Sequence, residues 1–200
     1  LTPLMEGNTV IAVAGTHGKT TTTSMIVHIL RECGKDPSYI VGGILASTGT
    51  NAGVGKDNIF VIEADEYDNM FLGLKPNIAV ITSIEYDHPD FFKSEKELYR
   101  TFEEFVDLIG NGHMVVCKDD PLALKLASQS SLDTLVRTYG TGANSYYRAV
   151  NRQIGSFEVL NQEKILGRVQ LSIPGEHNIR NALAALRVAE IVSVPFECAA

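Results

Sequence analysis

This sequence is short of positive charge and of cysteine, and it has no long apolar run. Lys and Arg number 17 against 24 Asp and Glu, a formal net charge of −7 with no basic stripe. A nucleic-acid partner is therefore not expected. No apolar run reaches the roughly 18 residues that cross a bilayer, so no membrane partner is expected either. The three cysteines, Cys33, Cys117 and Cys198, are widely spaced. They match neither a metal-ligand spacing nor a disulfide framework, which predicts buried or half-buried thiols in a reducing cytosol. Internal repeats and low-complexity tracts are missing too. What is present is 44% apolar residues in a chain of 200, enough for a sizeable core in one large domain or two small ones. The start at Leu1 and the stop at Cys198-Ala199-Ala200 predict a piece of a longer protein.

The most informative stretch is Val10–Thr23, VIAVAGTHGKTTTT. Val10–Ala14 reads as a buried strand. Gly15-Thr16-His17-Gly18-Lys19-Thr20 follows, and then a segment of helical character. Strand, glycine loop and helix start are in the order that cradles phosphate. Backbone N–H groups of such a loop point at phosphate oxygens, and the helix dipole adds positive potential. Gly15, Thr16, Gly18, Lys19, Thr20 and Thr21 are the candidate nucleotide contacts. Lys19 supplies a point charge for the outer phosphates, and Thr20 a hydroxyl for Mg²⁺. A GxxxxGK[ST] loop would carry its first glycine at position 13, which is Val13. Here the loop is shorter, GxxGKT. The alternative is a glycine turn that only joins strand to helix.

Along the first 140 or so residues, strand and helix signals alternate, which predicts a parallel sheet covered on both faces. Strands are expected at Val10–Ala14, Tyr39–Val41, Ile59–Glu63, Ile78–Ile84, Met114–Cys117 and Leu135–Tyr139. Helices are expected over Thr20–Cys33, after a Ser94/Glu97 capping box, and after Asp119-Asp120-Pro121. Residues 42–58 read as a long loop. Short strand signals over 145–173 predict a small antiparallel part. A last helix is expected over Ile179–Val192. The expected fold is thus α/β: a three-layer P-loop NTPase-like domain with a mostly parallel sheet and a small antiparallel β subdomain. Its parts are a core over 8–142, the antiparallel piece over 143–173 and a returning helix over 174–193.

In a parallel sheet, ligands sit at the carboxyl ends of the strands. The phosphate loop follows the first strand. Glu63 ends the strand Ile59–Glu63, and His88 follows the strand Ile78–Ile84. A carboxylate ending a buried apolar strand is costly unless it has a task. Glu63 and Thr20 suit a hard cation held against the nucleotide. His88 adds a nitrogen ligand for a second Mg²⁺ or for Mn²⁺, unless it is an ordinary loop histidine. The bare acidic run reads as a solvated loop, which takes in Glu66, while Asp65 and Asp68 read equally as solvated or as functional carboxylates. His17 is placed either to touch a γ-phosphate or acyl oxygen, or to fill the loop. His177 and Asn181 share a helix face, and Asn offers the donor and acceptor that match an adenine edge. The alternative there is helix capping by Asn178.

AGTHGKTTTT (14–23), GTNAG (49–53), VIEADEYD (61–68), SIEYDHPD (83–90) and GEHNIRNALAAL (175–186) together resemble the Mur ligase family of ATP-dependent amide-forming enzymes. The resemblance spans nearly the whole chain and implies the family's central ATP-binding domain. It implies partners in the N- and C-terminal domains of the same longer chain, and a cytoplasmic location. Within the family the strings look most like the branch that joins L-alanine to UDP-N-acetylmuramate. The murein-tripeptide recycling branch is the near rival, and a folylpolyglutamate synthetase-like ligase a further one. Other members carry a carbamylated lysine in the helix after the DH motif. Glu97–Ile109 has no lysine, and Glu103 or Glu104 offers a carboxylate instead.

The resemblance implies that ATP converts the muramoyl carboxylate to an acyl phosphate, which an amine then attacks. Lys19 would neutralise the transferred phosphoryl group, with His17 beside it. Thr20 and Glu63 would hold the nucleotide's Mg²⁺, and His88 the metal facing the acceptor. Asn181 and His177 would contact adenine, and Asn51 would approach the sugar substrate. A switch GTPase is disfavoured because no NKxD-type guanine-reading segment is present.

Overall fold

The first strand alternates two faces, and the layers follow from that. In the computed structural model, which describes residues 2–200, β1 (Thr9–Ala14) is buried along almost its full length. Ile11 and Val13 point into one hydrophobic cluster, and Val10, Ala12 and Ala14 into another. Successive strand side chains take opposite faces, so a continuous apolar strand must be covered on both. Helices α2 (Lys19–Glu32) and α5 (Glu176–Ile191) cover the first face. Helices α3 (Glu95–Asp107) and α4 (Pro121–Gln129) cover the second. A short α1 (Thr2–Met5) precedes β1.

The main sheet has seven strands in the order β3-β2-β4-β1-β5-β6-β7. They are β2 (Ser38–Ile40), β3 (Ala52–Gly53), β4 (Ile59–Glu63), β5 (Ile78–Ile81), β6 (His113–Cys117) and β7 (Leu135–Tyr139). All pairs are parallel except β2–β3, which is antiparallel. The long glycine loop therefore contains an edge strand that its composition hid. The connection from β4 steps across β1 to β5, which makes the carboxyl end of β1 the topological switch point. Register sets the site: Val13 pairs with Glu63 and Ala14 with Ile81.

The second sheet is antiparallel, in the order β10-β9-β8, from β8 (Tyr147–Gln153), β9 (Ser156–Asn161) and β10 (Lys164–Gln170). Its buried face (Tyr147, Ala149, Phe157, Val159, Val169) joins the cluster under α5 rather than forming a core of its own. The structure thus has the expected α/β architecture with its small antiparallel part.

Differences from the sequence reading are local. β5 stops at Ile81, because Thr82 turns to donate its hydroxyl to the carbonyls of Ala14 (3.2 Å) and His17 (2.6 Å). The capping box before α3 is displaced: Ser94 accepts from the Glu97 N–H, but Glu97 accepts from Lys93 rather than from Ser94. α3 begins at Glu95 and so includes an exposed Lys96 in its first turn. Glu104 is a surface partner of Arg100. The expectation of free thiols is corrected for one pair. Cys33, at the end of α2, and Cys198, in α6 (Phe196–Ala199), form a disulfide with Cα atoms 5.8 Å apart. Their sequence separation of 165 gave no local spacing to read. Cys117 is the free thiol, and it is buried.

Candidate nucleotide site

The loop after β1 is held down by the segment after β5. The Thr16 N–H donates to the Ser83 carbonyl (2.9 Å), and the Thr16 hydroxyl both donates to the Glu85 carbonyl and accepts from the Glu85 N–H (each 2.9 Å). The His17 N–H donates to Ser83 Oγ at 3.3 Å. Gly15 has φ 131°, and a Cβ there would collide with Thr82 Oγ1 and lie 2.8 Å from the Ser83 carbonyl. Gly18 caps α2 in the left-handed region, φ 83°. The first N–H groups of a helix have no partner within it, and among the described residues no side chain caps this helix start. That is an anion-binding arrangement.

Two carboxylates meet the start of α2. Thr20 donates its hydroxyl to Glu63 Oε1 at 2.8 Å, and the Gly42 N–H donates to Glu63 Oε2 at 2.6 Å. Glu63 thus links the ends of β4, α2 and the loop after β2. Lys19 Nζ donates to both oxygens of Glu66, at 2.8 and 3.1 Å. Glu66 is fully buried, with a side chain 1% exposed against 12% for Lys19. The sequence reading placed Glu66 in a solvated acidic loop. Instead Glu66 is buried at the N-cap of a 3₁₀ segment, Tyr67–Gly73. Asp65 accepts from the Tyr67 N–H (3.1 Å), a turn contact, while Asp68 is exposed.

His88 sits in the left-handed region (φ 54°), where its N–H donates to Asp87 Oδ1 at 2.8 Å. Its ring meets Tyr67 edge-on at 5.2 Å, and the Tyr67 hydroxyl donates to Asp90 at 3.1 Å. His88 is therefore tied to the residue after Glu66, which pairs with Lys19. His17 is mostly exposed, its Nε2 3.6 Å from Glu85. Asn51 is exposed in the turn between β2 and β3, where its carbonyl accepts from the Val41 N–H (2.8 Å).

A cleft of about 690 Å³ opens beside the loop, between the ends of β5, β6 and β7 and the start of α5. Its lining includes Gly18, Thr21, Asp119, Tyr139, His177 and Asn181. Asn181 is buried, and its Oδ1 would stand 2.6 Å from a Cβ at Gly18, so the glycine lets helix and loop close together. Asn178 donates its amide to the Pro174 carbonyl at 2.7 Å, fastening the turn before α5, while His177 is exposed. Asp119 accepts from the N–H and hydroxyl of Thr141 and the N–H of Gly142 at 2.6–3.1 Å, which shapes the far wall. Burial pushes the Tyr139 phenol well above its ordinary pKa and the Cys117 thiol upward, so both present neutral groups. Thr82, Ser83 and Asp119 escaped the sequence reading because each acts on a loop distant in the chain.

Among the described residues, no group of three or more His, Cys, Asp and Glu side chains could hold a metal ion. Mg²⁺ bound with a nucleotide takes one or two protein oxygens and completes its shell with phosphate and water. The Thr20 hydroxyl and the Glu63 carboxylate, already in contact, fit that donor set.

The model of the Mur ligase middle domain matches residues 13–189. A UDP-N-acetylmuramate–L-alanine ligase from Renibacterium salmoninarum is 44% identical over 98% of this chain and 43% of its own length. One from Rubrobacter xylanophilus is 47% identical over 90% of this chain and 40% of its own. This chain thus spans about two fifths of the curated relatives it matches. Among solved structures, the UDP-N-acetylmuramate:L-alanyl-γ-D-glutamyl-meso-diaminopimelate ligase of Neisseria meningitides superposes with a TM-score of 0.89. It is 30% identical, over 98% of this chain and 65% of that one. The UDP-N-acetylmuramate–alanine ligase of Thermotoga maritima gives 0.79 at 26% identity, over 98% of this chain and 45% of that one. The chain belongs to the Mur ligase family, whose middle domain it matches along most of its length.

Proposed function

We propose that this chain is the ATP-binding, acid-activating part of a cytoplasmic ligase that joins L-alanine to UDP-N-acetylmuramate in peptidoglycan precursor synthesis. One observation carries the reading. Thr20 meets Glu63, Lys19 meets Glu66, and the His88 ring meets Tyr67, the residue after Glu66, while a cleft of about 690 Å³ opens beside Gly18 and Thr21; this linkage of three separate segments supports a nucleotide site. The relatives at 44 and 47% identity favour the alanine acceptor.

In this reading, the loop N–H groups and the start of α2 hold the triphosphate of ATP, and the cleft at Asn181 and His177 takes the adenine. The muramoyl carboxylate oxygen attacks the γ-phosphorus, the bond to the ADP oxygen breaks, and an acyl phosphate forms. The amine of L-alanine attacks the acyl carbon, phosphate leaves with the C–O bonding pair, the nitrogen gives up a proton to the departing phosphate or to water, and an amide remains. Lys19 neutralises charge on the transferred group, a positioning and electrostatic task. Thr20 and Glu63 would hold Mg²⁺, which when bound would screen the phosphate charge. His88 would serve the acceptor side, where its nitrogen would suit a second Mg²⁺ or Mn²⁺. Asn51 faces the sugar substrate, and the rest of the longer chain supplies the surfaces for UDP-N-acetylmuramate and alanine.

The likeness to the Neisseria tripeptide ligase supports a second reading, in which the acceptor amine belongs to L-Ala-γ-D-Glu-diaminopimelate. Acceptor competition separates the two. The full-length protein, given ATP and UDP-N-acetylmuramate, should release ADP with L-alanine and not with the free tripeptide. Release with the tripeptide alone selects the second reading, and release with neither ends both.

A further inference from the structure

Glu66 stands apart from every other acidic residue around the site. Its side chain is 1% exposed, and both of its oxygens accept from the ammonium of Lys19. A buried carboxylate is tolerated only when paired, and this one is paired to the cation at the mouth of the phosphate loop. The pairing has two consequences. The ammonium has three N–H donors, and turning some toward Glu66 fixes the direction of those left for phosphate. The carboxylate also offsets the lysine charge, so the pocket attracts a polyanion less strongly than a free lysine would.

We propose that Glu66 is a positioning residue for phosphoryl transfer: its buried carboxylate aims Lys19 at the transferred phosphoryl group, at the expense of ground-state affinity for ATP. The inference rests on the ligase reading above, because it assigns Lys19 its partner in the reaction. The backbone supports this use. Glu66 opens the 3₁₀ segment Tyr67–Gly73, and Tyr67, the next residue, meets the His88 ring. One short segment thus orients Lys19 on the nucleotide side and abuts His88 on the acceptor side.

Glu66→Gln and Glu66→Asp in the full-length protein separate charge from position. Glu66→Gln removes a negative charge beside the triphosphate while keeping the shape. Its Kd for Mg-ATP should tighten about threefold or more, while kcat for ADP release falls at least about tenfold as Lys19 loses its aim. Glu66→Asp keeps the charge but shortens the reach by one methylene. Its Kd should stay near that of the native protein while kcat falls about tenfold. Partial unfolding cannot tighten ATP binding, so the opposite movement of Kd and kcat distinguishes positioning from a structural role. If Glu66→Gln has kcat within twofold of native, or Kd unchanged or weaker, the proposal is overturned. If Glu66→Gln does not fold, Glu66→Asp decides, and kcat within twofold of native there overturns it. A native protein that releases no ADP refutes the ligase reading itself, and so is told apart from a failure at Glu66 alone.

Discussion

Replacing Lys19 with Met tests whether the Lys19–Glu66 pair is as buried and as mutually dependent as its geometry indicates. Methionine keeps most of the side-chain length and removes the charge. Glu66 then loses the donor that serves both of its oxygens, and its 1% exposure leaves almost no route to water. Breaking a buried ion pair from one side costs about 3–5 kcal/mol, because the remaining charge is uncompensated. For a domain of this size each kcal/mol moves Tm by about 2–4 °C, so a fall of roughly 6–20 °C is expected. The double variant Lys19→Met/Glu66→Gln removes both charges and should recover most of that loss, since a neutral replacement of a buried pair is often close to neutral in stability. Thermal and urea unfolding followed by circular dichroism would measure all three proteins. A Lys19→Met protein within about 1 kcal/mol of native would refute the premise, since that range is typical of an exposed pair. A double variant no more stable than the single one would refute it as well.

Three further outcomes are expected. Lys19→Ala should abolish Mg-ATP binding in a calorimetric titration while His88→Ala retains it, and equal loss in both would show the nucleotide and acceptor sides to be wrongly divided. Gly15→Ala should destabilise the protein by on the order of 1–3 kcal/mol and weaken Mg-ATP binding, because φ is 131° and a Cβ meets the Ser83 carbonyl; unchanged unfolding and titration curves would contradict this. Burial, with Arg137 nearby, holds the His113 imidazole below its ordinary 6.5, and its buried Nδ1 has no hydrogen-bond partner among the described residues. The unfolded chain then binds more protons than the folded one below that value, so the His113 contribution is fully present above pH 6.5 and declines as pH falls. The urea midpoint of His113→Leu should accordingly depend less on pH between about 7.5 and 5 than the native one, and an identical pH slope would exclude His113 as the source.

Much of this site was legible in one dimension because its chemistry is written in short strings. The apolar run Val10–Ala14 followed by Gly15–Thr20 specifies strand, loop and helix start by local physics, and the structure has all three in that order. Glu63 was legible because a charge ending an apolar strand is conspicuous. Glu66 was not, although it lies three residues further on. Its burial depends on the 3₁₀ turn that follows and on Lys19 arriving from another segment, and an acidic run carries no sign of either. The apolar pattern over Ile78–Ile84 makes Thr82 and Ser83 strand residues, whereas β5 ends at Ile81. They became loop partners only when β5 was set beside β1, which brought the carbonyls of Ala14 and His17 to the Thr82 hydroxyl.

Amino-acid order by itself determined the alternation of strands and helices and the passage from β1 through a glycine loop to the start of α2, with Lys19 and Thr20 at that start and Glu63 at the end of β4. These follow from periodicity, side-chain volume and backbone freedom, which act over a few residues. Tertiary structure alone decided which carboxylate Lys19 engages, where β5 ends, that Ala52–Gly53 joins the sheet as an antiparallel edge, and that Cys33 meets Cys198. Each of those is a contact between segments distant in the chain. Strand order and register set it, and the free energy of burying a charge or an apolar face depends on what arrives on the other side.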